Sequence, residues 1–369
     1  MKKIVALLLS SIMLLSLAAC GNSSSGTGGN SEMDRTSHNV AESSSDSAQS
    51  AGGGNESGES SQIPADSAEA NVPAGGTDDS VPVVYMTTDI SPEGLMKVYE
   101  ALGVELTGDN IAVKLSTGEP PASNYLDPDL IRDLVERVDG TIVECNTAYG
   151  GSRSETAMHY QVAEDHGFTD LGKGFLIMDE DGESMVLPVE GGQQLSENYV
   201  GAHFGDFDGF LVLSHFKGHA MAGFGGAIKN ISIGIGSQEG KCLIHTAGNS
   251  HTSPWGGDQD AFLESMADAG KSVVDALDGN ILFINVMNRL SIDCDCDGNP
   301  SEPDIHDIGI LASADPVALD QACVDLIYQA EGNESFIRRM EGQHAEHVLE
   351  AGETIGLGSR TYRLESVDE

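Results

Sequence analysis

The chain has 369 residues, with 18 basic and 59 acidic side chains and a formal net charge of −41 at pH 7. Residues 81–369 alone carry 15 basic and 49 acidic groups. A domain this acidic repels phosphate backbones and anionic lipid surfaces, which argues against nucleic acid as a partner. It leaves cations, neutral solutes or a small anion held in a locally basic pocket, unless the acidity is only an adaptation to high salt.

At the N-terminus, Lys2 and Lys3 precede an apolar run over 4–17, and Leu17-Ala18-Ala19-Cys20 closes it with small residues before a cysteine. That is the pattern of a lipoprotein signal peptide, residues 1–20, with Cys20 as the lipidation site. The alternative, an uncleaved transmembrane helix, is opposed by the shortness of the run. A diacylglycerol thioether would be the only membrane contact, each buried methylene contributing roughly 0.8 kcal/mol. This predicts a cell-membrane protein anchored by lipid on the extracytoplasmic face. Residues 21–80 are Ser, Gly, Asn, Asp, Glu and Ala with almost no large apolar side chain. They bury too little to offset ordering entropy and are expected to form a disordered acidic tether, with a span of roughly 40 to 45 Å.

From residue 81 onward, apolar runs predict strands at 83–86, 111–115, 141–145, 175–178, 210–214, 281–286 and 308–312. Ser91-Pro92 and Asp127-Pro128 predict helix starts, the second helix reaching Arg137. Further helices are expected after Ser154-Glu155, over 259–277, and from Asp315-Pro316 to about Ala330. The alternation predicts an α/β domain over 81–369, with a largely parallel or mixed sheet, helices on both faces, and one domain of one or two lobes.

In such sheets the cleft lies beyond the C-terminal strand ends, and the unusual residues fall there. Lys114 ends one strand, Asn146 and Arg153 follow another, and His215-Phe216-Lys217-Gly218-His219 follows a third. The next segment, Gly223-Phe224-Gly225-Gly226-Ala227-Ile228-Lys229-Asn230, combines a glycine turn with an ammonium group. A helix starting there would aim free N–H groups at an anion, with Lys217 and Lys229 adding charge. Lys114, Asn146, Arg153, Lys229 and Asn230 are therefore candidate ligand-binding residues, unless the glycines serve only tight packing. His215, Lys217 and His219 are candidate catalytic residues, either as acid–base groups, with Lys217 lowering the affinity of His215 for its second proton, or through a metal shared by the two imidazoles.

Outside Cys20, five cysteines remain, too few for a disulfide-built scaffold. Cys242 and Cys323 read as buried small apolar groups, and Cys145, at a strand end, is harder to place. In Asp293-Cys294-Asp295-Cys296-Asp297-Gly298 the two thiols suit a soft transition metal or the edge of an iron–sulfur cluster, completed by a histidine or another cysteine. The same run reads as an Asp-x-Asp-x-Asp-Gly calcium loop with Asp304 in the twelfth place, the weaker option because Pro300 and a preceding strand do not suit it. The remaining option is a solvated acidic loop with idle or oxidised cysteines.

The stretches 113–119, 143–151, 214–219, 293–297 and 307–320 resemble the family called domain of unknown function 362, over residues 83–367. The resemblance implies an iron–sulfur-centre protein, although the ferredoxin-like cysteine module of many members is missing here. It carries over Cys294, Cys296 and the segment holding His215, Lys217, His219 and Lys229. Gly225-Gly226-Ala227-Ile228-Lys229-Asn230 is also similar to the glycine–lysine loop of nickel-dependent lactate racemase. The expectation is thus a metal-binding, lipid-anchored protein with Cys294 and Cys296 as ligands and a redox or isomerase-type reaction on a small molecule. The alternative is a solute-binding lipoprotein that captures a small anionic or neutral ligand without turnover.

Overall fold

A computed structural model describes residues 81–368. The expected signal segment, Cys20 and the tether lie outside the described residues. In chain order the elements are β1 (Val83–Thr87), α1 (Pro92–Ala101), β2 (Ile111–Lys114), α2 (Pro128–Arg137), β3 (Gly140–Glu144), α3 (Thr156–Asp165), β4 (Phe175–Ile177), β5 (Ser184–Pro188), β6 (Glu197–Gly201), β7 (Gly209–His215), β8 (Lys217–His219), β9 (Gly223–Gly225), α4 (Ala227–Ser232), α5 (Gln238–His245), α6 (Gln259–Ala276), β10 (Ile281–Met287), β11 (Gly309–Ser313), α7 (Pro316–Gln329), α8 (Glu334–Gly342), α9 (His347–Ile355) and β12 (Arg363–Ser366).

Eight strands form one sheet in the order β12-β1-β11-β10-β7-β2-β3-β4. Its pairings are parallel except those of β11 with β1 and with β10, so β11 alone runs against the rest. The seven strands expected from sequence all belong to it. Alternate residues leave the sheet on opposite faces. Ala112, Phe210, Val212 and Phe283 join the core on one side, and Val113, Leu211, Leu213 and Ile284 the core on the other. The first core also holds residues of α4, α6, α7 and α9, and the second those of α1 and α2. A sheet buried on both faces accounts for the unbroken apolar runs of β7 and β10. Helix starts follow the caps: Ser91 Oγ accepts from Gly94 N, Asp127 Oδ1 from Asp129 N and Asp315 Oδ1 from Val317 N and Ala318 N, each cap followed directly by proline.

From β2 the chain steps outward to β3 and β4, then returns to lay β7 on the other side of β2 and proceeds to β10. The strand order therefore reverses between β2 and β7, the place where open α/β sheets form their cleft. The short hairpins β5–β6 and β8–β9, strand β12 and helices α5, α8 and α9 were not anticipated as elements, because short segments carry little periodic signal.

Candidate functional site

Beyond the β2–β7 reversal lies a cavity of about 120 Å³. Lys114 closes β2, Ser214 and His215 close β7, and β10 runs on into the loop that carries Cys294 and Cys296. That loop meets the β8–β9 hairpin directly. Gly218 N donates to Ser291 O at 2.9 Å, and His215 Nε2 donates to Asn288 O at 2.8 Å. A Cβ on Gly218 would lie 2.4 Å from Ile292 O, so only glycine allows this approach. The two loops singled out in the sequence thus form one site.

Five of the fifteen basic side chains of residues 81–369 line the cavity: Lys114, Arg153, Lys217, Lys229 and Lys241. Two are neutralised. Lys217 is ion-paired with Asp295 and also donates to Asn124 O at 3.2 Å. Arg153 lies between two carboxylates, at 2.8 Å from Glu144 Oε1 and 3.3 Å from Glu119 Oε2. The other three have no carboxylate partner among the described residues. Lys114 Nζ donates to Leu115 O at 2.7 Å and Asn230 Oδ1 at 2.9 Å, and Lys241 Nζ donates to Gly236 O. Lys229 makes neither a hydrogen bond nor an ion pair there. Burial pushes Lys114 and Lys229 down to about 8 from 10.5, and for Lys229 the Arg153 guanidinium adds to the effect.

The histidines have tautomers set by backbone. His219 Nδ1 accepts from Met221 N at 3.2 Å and Ala222 N at 2.9 Å, which puts the proton of the neutral ring on Nε2. His245 Nδ1 donates to Lys241 O at 2.7 Å, which leaves Nε2 with the lone pair. Burial, reinforced by the Lys229 charge, holds His219 well below the usual imidazole range; burial also pushes His245 down to about 4. The cavity therefore has a neutral imidazole donor and a neutral imidazole acceptor. Lys241 and His245 were missed in the sequence. Their spacing of four on a helix capped by Ser237 Oγ was the available signal.

Several expected site residues do other work. The N–H groups that open α4 are not free: Asp320 Oδ1 and Oδ2 accept from Ala227 N at 2.7 Å and Ile228 N at 2.9 Å. A carboxylate of the chain itself fills the expected anion seat. Asn146 turns away from the cavity, its Nδ2 donating to Thr156 Oγ1 at 2.9 Å and its Oδ1 facing His159 Nδ1 at 3.2 Å. Asn230 lines the cavity, but its amide is spent on Lys114, Leu213 O and Ser214 Oγ. Arg153 is a paired core cation. Lys217 does not act on His215 directly, because Asp295 stands between them, with its Oδ2 3.4 Å from His215 Nδ1. Lys217 and His215 hold Asp295 down to about 2 although burial pushes it up.

The metal expectations change as well. The calcium loop does not form, because its carboxylates diverge: Asp293 bonds Ser301 and Arg339, Asp295 bonds Lys217, and Asp297 caps Asn299 N. His215 and His219 both line the cavity, but His215 Nε2 is committed to Asn288 O and His219 Nδ1 to two backbone N–H groups, which opposes a metal shared by the two rings. His219, Cys294 and Cys296 do bring potential metal donors within 4.8 Å of one another, as do Glu180, Asp181 and His203 elsewhere. Cys294 and Cys296 are joined as a disulfide. In that state they are not thiolate ligands, and His219 Nε2, which carries the ring proton, is not one either. A four-cysteine iron–sulfur site does not fit the described residues. Of the remaining cysteines, Cys242 and Cys323 are buried elsewhere, and Cys145 donates to Ile235 O at 3.2 Å, its thiol pushed up to about 12 by burial and Asp179. A reduced Cys294–Cys296 pair offers two thiolates to one soft ion.

A family model described as domain of unknown function (DUF362) matches residues 111–325. That is more than half of the chain, which belongs to this family. No curated protein matches it. Among solved structures it is similar to the lactate racemase apoprotein from Thermoanaerobacterium thermosaccharolyticum, at 14% identity and a TM-score of 0.40, covering 66% of this chain and 56% of that one. It is also similar to a protein from Thermotoga maritima, at 16% identity and a TM-score of 0.37, covering 71% and 58%. The chain thus spans less than two thirds of either structure's length, and no residue role is taken from them.

Proposed function

We propose that this member of the family binds a small organic anion in the β2–β7 cavity and holds it beside the Cys294–Cys296 pair, on a domain tethered by lipid to the outer face of a membrane. The observation that carries the reading is the set of three ammonium groups, Lys114, Lys229 and Lys241, none of them ion-paired among the described residues, in a cavity whose two lining carboxylates, Glu144 and Asp295, are already taken by Arg153 and Lys217. Such a cluster is unfavourable by itself and becomes favourable when an anion enters. Neutral His219 donates to the ligand through Nε2–H and neutral His245 accepts through Nε2, so a proton can be given and taken at fixed places.

Calorimetry with lactate, pyruvate, phosphate and sulfate tests this on the purified chain. Micromolar to millimolar binding of at least one, weakened tenfold or more by Lys229→Met, supports the reading. No binding by any of them overturns it. The anchor is tested separately, since Cys20→Ala should move the protein from the membrane fraction to the soluble one.

The adjacency of the two cysteine sulfurs at the cavity wall favours a second reading, in which the reduced pair binds one transition-metal ion that would supply redox or Lewis-acid chemistry to the anion. Elemental analysis after anaerobic purification, beside a Cys294→Ser, Cys296→Ser variant, decides it. Metal absent from both proteins would sink it.

A further inference from the structure

We propose that Lys229 is a covalent-catalysis residue, whose amine forms an imine with a small 2-oxo acid seated in the cavity. The inference rests on the anion-binding reading and adds what the anion is and which atom it meets.

Three observations carry it. Lys229 is the cavity ammonium with no hydrogen bond, ion pair or carboxylate partner among the described residues. An ordinary structural lysine would be paired or in solvent, and this one is part-buried and points its amine at nothing of the protein's own. Its stem also lies against Gly225, where a Cβ would press the Lys229 Cδ at 3.1 Å, and a Cβ on Gly226 would lie 2.2 Å from Asp320 Oδ1, so Gly226 lets Asp320 cap the helix that carries Lys229. Asp320 in turn receives the side-chain amide of Asn285 on β10 at 2.8 Å, which fastens the first turn of α4 to the sheet. Finally, the cavity of about 120 Å³ has room for an acid of three or four carbons.

Burial, with Arg153 adding to it, brings Lys229 down to about 8, so a minor fraction of the amine is unprotonated near neutral pH, as in lysines activated by burial beside another positive charge. Lys114 and Lys241 remain to take the carboxylate of the acid, which sets the adjacent carbonyl before Lys229. The step balances without an oxidant. The Lys229 nitrogen adds to the carbonyl carbon, and the carbonyl oxygen leaves as water with two protons. One of these comes from the lysine nitrogen and one is taken up from solvent, so the product is the protonated imine, with His219 Nε2–H placed to hydrogen-bond the departing oxygen.

The test uses the intact protein with pyruvate as the probe and sodium cyanoborohydride as the trap, followed by intact and peptide mass spectrometry. One reduced adduct per chain on the peptide containing Lys229, suppressed by excess lactate and lost in Lys229→Arg, is the expected result. Chemical denaturation of Lys229→Arg should give the wild-type midpoint, which shows that the variant is folded and that loss of the adduct is loss of the amine. Pyruvate that binds without an adduct at Lys229, or an adduct spread over surface lysines, overturns the imine and leaves the anion site standing. Absence of binding by pyruvate and lactate together overturns both.

Discussion

Two clusters of charge sit side by side at the C-terminal edge of the sheet and are built on opposite plans. Around Glu144 every group is answered. The carboxylate takes Arg153 at 2.8 Å, His159 at 3.0 Å, and both Thr117 N and Thr117 Oγ1, while Glu119 takes the other side of the guanidinium. Arg153 and its neighbours hold Glu144 well below the usual carboxylate range against the opposite pull of burial. The Lys229 ammonium has no such partner among the described residues, and burial pushes Lys229 and its neighbour Lys114 down to about 8. A buried network completed by the protein itself serves the fold, whereas one left incomplete is a receptor for something that arrives.

Removing one member of the completed cluster should do the most damage. Arg153→Met leaves Glu144 and Glu119 without their cation in a site where the Arg153 side chain is 3% exposed. We expect a loss of about 3 to 5 kcal/mol in chemical denaturation. Asp320→Ala, which strips the acceptor from Ala227 N, Ile228 N and Asn285 Nδ2, should cost about 2 to 3 kcal/mol. It should also loosen anion binding through Lys229.

Asp320 makes a pH signature too. Burial pushes its carboxyl up to about 6 from 3.8, so the folded state holds the proton more tightly than the unfolded one. Its contribution is complete below about pH 4 and lost as pH rises through 6, a change on the order of 3 kcal/mol. Denaturation at pH 4 and pH 7 should show this decrease in the wild type relative to Asp320→Asn.

In the incomplete cluster the same kind of change should barely move stability. Lys229→Met removes a desolvated charge and should leave stability unchanged or raise it by about 1 kcal/mol. It should nevertheless weaken anion binding by about 1.4 kcal/mol or more, a tenfold change. Wild-type affinity should fall as pH rises through about 8, because Lys114 and Lys229 lose their protons there and only the protonated forms attract an anion. A flat titration from pH 7 to 9 would contradict the role given to them. Reduction of the Cys294–Cys296 bond should also have only a small effect on folding. The bond closes a loop of only three residues, so its loss should cost under about 2 kcal/mol, read from denaturation with and without reductant.

Much of this was readable from sequence because it depends on neighbours along the chain. Apolar runs specify strands buried on both faces, and serine or aspartate before proline specifies where α1, α2 and α7 begin, since a cap is a bond between residues two or three apart. The glycines of 223–226 and the Cys294-Asp295-Cys296 run likewise announced themselves by composition. Which charges are free was decided only by tertiary structure. Asp320 lies more than ninety positions from the N–H groups it caps, and Asp295 lies 78 from Lys217. Asn146 and Arg153 looked like ligand residues because only the fold turns them onto Thr156 and His159 or onto Glu144 and Glu119, and Lys241 and His245 looked ordinary because the cavity they face is made by other elements. A sequence states which groups are present, but a buried charge becomes a structural pair or an open site only when the fold either supplies or withholds its counter-charge.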